Sequence, residues 1–254
     1  AARAGARTLC VDEQDRGGGS LLCDPRFGVA DAQRSVAGAE AAGVDLWARS
    51  TAIAWFPEDA GGLLGVITPE GFCRVTAKRY VYATGGYDQN ALFENNDLPG
   101  VFSARAVGRL LVRFGVLPGE RAVVVGASAF AERLVVALTG AGVFTTRVAD
   151  DEIVRARGRN WVNAVDLRTG QIRCDVVAVA AVPAPASELL RQHGANVELH
   201  AHKGGFAAVV DGDGHTSVGD VLACGDVCGF VGAEAARRAG EHVGGVAAEE
   251  ALGA

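Results

Sequence analysis

The sequence predicts an α/β protein of two three-layer domains, each a parallel sheet between helices, with the second domain inserted in the first. Three observations predict it. Tyr80-Val-Tyr-Ala-Thr84-Gly85-Gly86 is a short aromatic and β-branched run that ends in glycines. Arg121-Ala-Val-Val-Val125 enters Gly126-Ala-Ser128-Ala-Phe-Ala131 and then a helical stretch, the strand, turn and helix order of a parallel unit. Val221-Leu-Ala-Cys-Gly225-Asp226 is an apolar strand that breaks into Gly-Asp ahead of a helix rich in small residues. At 254 residues, 49% hydrophobic, the chain is long enough for two modest cores.

Taken in order, Ala1 to Glu13 reads as the end of a first helix, a tight turn and a strand closing in an acidic residue. Gly17-Gly18-Gly19-Ser20 follows, a cluster that is either a flexible loop or a place where backbone approaches a ligand closely. Arg34 to Gly43 is helix-like with a glycine stop, and Val44 to Phe56 alternates as strands do. Leu63 to Ile67 and Phe72 to Thr76 flank Thr-Pro-Glu-Gly, a hairpin turn. Arg105 to Pro118 is a helix and linker, and Phe144 to Val148 is a strand ending in Asp150, Asp151 and Glu152. The expected division is 1–93 with 204–254 as the first domain and 105–203 as the second.

Strand ends of this kind suit a flavin nucleotide. A carboxylate such as Asp226, just past a strand, accepts hydrogen bonds from a chain of hydroxyls, and the helix after it, beginning near Gly232, offers its positive N-terminus. An ordinary tight turn with Asp as helix cap explains the same residues. In a Rossmann unit the acidic end of the second strand, here Glu13, takes a ribose hydroxyl, and a Gly-x-Gly-x-x-Gly turn lies about twenty residues upstream. That turn is expected before Ala1, so the chain reads as one that lacks its N-terminal strand and phosphate loop. In the second domain the fingerprint is reduced to Gly-x-Ser-x-x-Ala: Gly126 still makes the turn, but Ser128 puts a side chain where backbone would meet phosphate. The acidic residues after Val148 favour NAD over NADP if a dinucleotide binds there, and a retained scaffold without nucleotide is the alternative.

From Tyr80 onward, the run Ala-Thr-Gly-Gly-Tyr-Asp-Gln-Asn-Ala-Leu-Phe-Glu-Asn-Asn-Asp97-Leu-Pro99-Gly100-Val resembles the two-dinucleotide-binding-domain flavoproteins, with the glutathione-reductase-like pair of domains. It is most similar to the large (alpha) subunits of sarcosine oxidase, opine dehydrogenase, dye-linked proline dehydrogenase and hydrogen cyanide synthase. Asp175 to Ala195 is similar to that family's return to the first domain, and Glu13-Gln-x-x-x-Gly-Gly-Ser-Leu to its segment beside the flavin. The resemblance implies FAD clasped by Glu13, Gly18, Gly19, Ser20, Thr84, Gly85, Gly86, Gly225 and Asp226, with NAD or another adenine nucleotide at Gly126 and Ser128, and FMN at a subunit interface as a further option. It implies a flavin-dependent oxidoreductase subunit acting on CH–NH donors of the sarcosine, proline or opine type. Its partners would be a beta subunit of D-amino-acid-oxidase type and small iron-sulfur subunits. A non-catalytic scaffold with decayed nucleotide sites is the second hypothesis. Catalytic residues are not identified.

Composition narrows the classes. A net charge of −6 offers no field attractive to nucleic acid or anionic lipid. The longest apolar runs, such as Val176 to Pro183, are strand-length and too short to span a bilayer. The six cysteines, at positions 10, 23, 73, 174, 224 and 228, form no C-x-x-C pair, so neither a zinc site nor a disulfide-reductase dithiol is expected. Most should be buried free thiols, which favours a reducing cytoplasm, although Cys224 and Cys228 flank the Gly-Asp turn. His193, His200, His202, His215 and His242 fall in no acid–base constellation; surface or turn roles are expected, with His200 and His202 facing one side of a strand.

Overall fold

The computed structural model describes residues 1–57 and 62–253; Glu58–Gly61 and Ala254, which fall in the predicted first domain, lie outside the described residues. The chain divides into two compact units. Ala1–Gly18, Gln33–Tyr87 and Pro183–Ala254 form the first, and Gly19–Ala32 with Asp88–Val182 the second. Relative to the expected boundaries, residues 183–203 cluster with the first unit and Gly19–Ala32 with the second.

In the first unit two pairs of parallel strands carry the sequence signals. Thr8–Val11 pairs with Val44–Trp47, and Tyr80–Tyr82 pairs with Val221–Ala223. The expected opening helix is a single 3-10 turn, Ala2–Ala4, closed by Gly5 in the left-handed region. Thr51–Phe56, Leu63–Thr68 and Gly71–Val75 form an antiparallel meander, the last two joined by the predicted hairpin. Tyr80, Tyr82, Leu190, Val221, Ala223 and Val227 are packed into one core, while Leu222, Cys224 and Val243 pack on the other face, against the helix Ala233–Leu252. Alternate residues of one three-residue strand thus serve two cores, as its pleat dictates.

The second unit holds a four-stranded parallel sheet in the order Phe144–Val148, Arg121–Val125, Val176–Val179, Val101–Ser103. Its central strands read as continuous Val and Ala because both faces are covered, and every residue of Ala122–Val125 and Val176–Val179 is buried. Helices Ala104–Phe114 and Ala129–Gly140 each begin at a serine whose hydroxyl accepts a backbone N–H: Ser103 from Ala106 and Ser128 from Ala131. Gly108, inside the first of these helices, lies under the carbonyl of Cys23, which leaves no room for a β-carbon. Asp24, next in the chain, is buried and takes Arg26 and Arg133 on its carboxylate. Burial alone would raise the Asp24 carboxyl, but these hydrogen bonds outweigh it and hold it below the usual carboxylate range.

Candidate functional site

Parallel pairing of Tyr80–Tyr82 with Val221–Ala223 puts both glycine-bearing strand ends side by side. Tyr82 lies opposite Ala223, and the Cys224 N–H donates to the Tyr82 carbonyl at 3.0 Å. Thr84-Gly85 and Gly225-Asp226 therefore emerge from one edge of the sheet, the carboxyl end at which parallel α/β sheets bind ligands. Gly85 (φ +74°) and Gly225 (φ +77°) both occupy the left-handed region that other residues avoid. A β-carbon at Gly85 would meet open space, so the backbone there is approachable.

Asp226 is buried, and its Oδ1 accepts the N–H groups of Val231 (2.9 Å) and Gly232 (3.1 Å). The carboxylate thus ties the Gly-Asp turn to the start of helix Ala233–Leu252, whose N-cap, Gly232, contributes no side chain of its own. That is a hydrogen-bonded turn, as the simpler reading expects, and it also fixes the backbone that leads into the helix N-terminus beside the strand ends. Thr84 is committed structurally too, its hydroxyl donating to the Ala186 carbonyl at 2.6 Å. The Ala186 N–H returns a bond to the Gly85 carbonyl at 3.0 Å, and Gly86–Tyr87 pairs with Ala184–Pro185. Gly86 admits only glycine comfortably, since a β-carbon would stand 2.8 Å from the Ala184 carbonyl oxygen. Partial burial raises the Tyr87 hydroxyl, with the charges of Glu188 and Glu13 adding to it.

The site residues inferred from sequence are thus distributed unevenly. Glu13, Gly18, Thr84, Gly85, Gly86, Gly225 and Asp226 belong to the first unit, and Gly19, Ser20, Gly126 and Ser128 to the second. Within the second unit Gly126 (φ +129°) makes the tight turn, held against Ala180. Ser128 faces its own helix, its hydroxyl taking the Ala131 N–H at 3.2 Å.

The histidines depart from expectation. His200 ends strand Val197–His200, but His202 sits in the 3-10 turn Ala201–Lys203, so the two do not share a strand face. His193 is buried rather than on the surface: its Nδ1 lies 3.0 Å from the Tyr82 hydroxyl, and its ring stacks on Trp55 with centroids 3.5 Å apart. His215 bridges two carboxylates, Asp211 at 2.9 Å and Glu250 at 2.7 Å. Pattern analysis does not mark these clusters, because Tyr82 and His193, and likewise His215 and Glu250, lie far apart in the chain. Of the cysteines, Cys23, Cys174 and Cys224 are buried as expected, Cys73 and Cys228 are half-buried, and Cys10 is exposed; all are free. Among the described residues no group of His, Cys, Asp and Glu could hold a metal ion, and no helix is long and apolar enough to cross a membrane.

Comparison with known proteins extends along most of the chain. It is 27% identical to sarcosine oxidase subunit alpha of Rhizobium meliloti over 93% of its length and 30% identical to that of Corynebacterium sp. over 70%. The chain is a relative of the sarcosine oxidase alpha subunits. It spans 28% and 20% of the length of those two alpha subunits. No family model matches. Among solved structures, L-proline dehydrogenase from P. horikoshii superposes with a TM-score of 0.77 at 21% identity, covering 89% of this chain and 47% of that one. An NAD-dependent persulfide reductase from A. fulgidus gives 0.77 at 16% identity, over 100% of this chain and 56% of that one. This alpha-subunit relative has the Rossmann-like α/β fold of flavoprotein oxidoreductases.

Proposed function

We propose that this chain is the FAD-holding part of an oxidoreductase alpha subunit that works on a secondary amine or amino acid. The observation that carries the proposal is the parallel pairing that sets Thr84-Gly85 and Gly225-Asp226 at one sheet edge. The residues fit a flavin nucleotide: an approachable Gly85 backbone, a buried carboxylate at Asp226 and a helix N-terminus without a side-chain cap. FAD, when bound, supplies hydride and electron transfer. The chain's part is to hold it. Gly85 lets backbone approach, Gly18 offers an amide at φ +122°, and the first turn of helix Ala233–Leu252 presents dipole and N–H groups to a ligand that gains negative charge.

The names of the relatives support donors of the sarcosine or proline type and a multi-subunit assembly, in which a beta subunit of D-amino-acid-oxidase type, small iron-sulfur subunits and FMN at an interface would find their place. Six free thiols accord with the reducing cytoplasm. In the second unit the Ser128 cap and the packed Gly126 fit a pyrophosphate less well. They favour a retained scaffold there over an NAD site, and for the whole chain they are what a non-catalytic assembly subunit would show.

The test is an absorption spectrum of the native protein with its co-purifying partners from about 300 to 550 nm, followed by addition of secondary amines and amino acids. Isoalloxazine bands that bleach on addition support the proposal. A complex without flavin favours the scaffold.

A further inference from the structure

Segment Ala184–His193 grips the Tyr80–Tyr82 strand at two places. On one side Ala184–Pro185 pairs with Gly86–Tyr87, and Ala186 exchanges hydrogen bonds with Thr84 and Gly85. On the other, His193 at the end of helix Glu188–Gln192 meets the Tyr82 hydroxyl, while Trp55 stacks on the imidazole at an interplanar angle of 20° and Tyr80 closes its edge at 5.0 Å. His193 and Tyr82 are 7% and 5% exposed, so neither can trade its partner for water.

Burial raises the Tyr82 hydroxyl far above its ordinary range, with Tyr80 and Asp220 adding to it, so it keeps its proton and donates to His193 Nδ1 whenever that nitrogen is unprotonated. A proton on Nδ1 places an N–H against that O–H and forces the hydroxyl to turn. The charged and titratable groups facing the ring are few: Tyr80 and Tyr82 from their strand, and Asp220 from the turn before Val221. Arg191, on the same helix, lies over the Phe206 ring instead. Burial lowers the His193 pKa, and Asp220 opposes it only in part.

We propose that Tyr82 and His193, on the Trp55 platform, are a positioning pair for the Thr84-Gly85 strand end, so that its hold on FAD slackens when His193 is protonated. The proposal rests on that strand end contacting FAD. Coupling through one protonation makes FAD dissociation constants rise by about tenfold for each unit by which FAD binding lowers the His193 pKa.

Equilibrium binding of FAD to the native protein, measured from about pH 8 down to pH 5.5 across the ordinary histidine range, tests it. Wild type should bind more weakly as pH falls. His193→Gln, which restores an acceptor for Tyr82, should bind nearly as well as wild type at high pH yet show a flat profile. Tyr82→Phe should bind more weakly at high pH, and pairing it with His193→Phe should add little, since both remove one contact. An unchanged pH profile in His193→Gln, with FAD bound, overturns the positioning pair while leaving the FAD site standing. Failure of wild type to bind FAD at any pH sinks both.

Discussion

At the scale of single residues, Asp226 and Gly85 carry the most. Asp226 is a buried carboxylate accepting two backbone N–H groups on one oxygen. Hydrogen bonds to a charged group are worth about 1.5–3 kcal/mol, so Asp226→Ala should cost on that order and free the Val231 and Gly232 amides that lead into helix Ala233–Leu252. Thermal melting gives the stability loss, and the flavin-to-protein absorbance ratio gives the cofactor loss; Asp226→Asn, which keeps an acceptor, should fall between. Stability lost with flavin content intact would assign Asp226 to the turn alone. Gly85→Val meets no steric obstacle inside the protein but must adopt a φ of +74°. The expected strain is on the order of 1–3 kcal/mol, with the added side chain standing where a ligand approaches. Circular dichroism showing a folded protein with full flavin occupancy would count against a close-packed site at Gly85.

Elements show why some of this was legible and some was not. The meander, the hairpin at Thr68–Gly71 and the two capped helices follow from local patterns: alternation, Pro-Glu-Gly chemistry and a serine three residues ahead of an amide it accepts. Ser128, which breaks the glycine pattern of a phosphate turn, has a definite local duty as a helix cap. Removing it in Ser128→Ala should cost about 1 kcal/mol of stability as a lost helix cap, seen in a chemical denaturation midpoint. If unit two takes up nucleotide through this turn, the same variant would alter nucleotide affinity as well. What the sequence hid is non-local. Nothing near Tyr82 announces His193, and nothing near His215 announces Glu250, because parallel pairing and helix return bring together residues that pattern analysis treats separately. His202 was misplaced for a related reason: Gly204 in the left-handed region curls Ala201–Lys203 into a turn and ends the strand one residue after Leu199.

For the molecule as a whole, two histidines of opposite environment set the response to pH. His215 Nδ1 and Nε2 each face a carboxylate, an arrangement only the imidazolium satisfies, and the hydrogen bonds it donates to Asp211 and then Glu250 raise its pKa. Its contribution is complete below the ordinary histidine value near 6.5 and fades as pH rises through the raised folded value. His193 is the reverse: its pKa is lowered by burial, so its contribution is present above 6.5 and is lost as pH falls through the lowered value. Melting temperature should therefore decline on both sides of neutrality. In His215→Gln the alkaline decline should flatten while the acid decline persists, and melting curves across pH for the two proteins check this. Glu250 also pairs with Arg79, and Lys78 reaches the Ala251 carbonyl. The end of the long helix is thus fastened to the start of the Tyr80 strand by two neighbouring cationic side chains.

The stacking of Trp55 on His193 makes the protein its own optical gauge. Imidazolium in face contact with an indole drains its excited state, and among the described residues neither Trp47 nor Trp161, the other indoles of the chain, stacks on a histidine. Steady-state tryptophan emission, followed as acid is added, therefore reports on one buried ring without any label, and replacing Trp55 by phenylalanine should remove the acid-sensitive part of the signal.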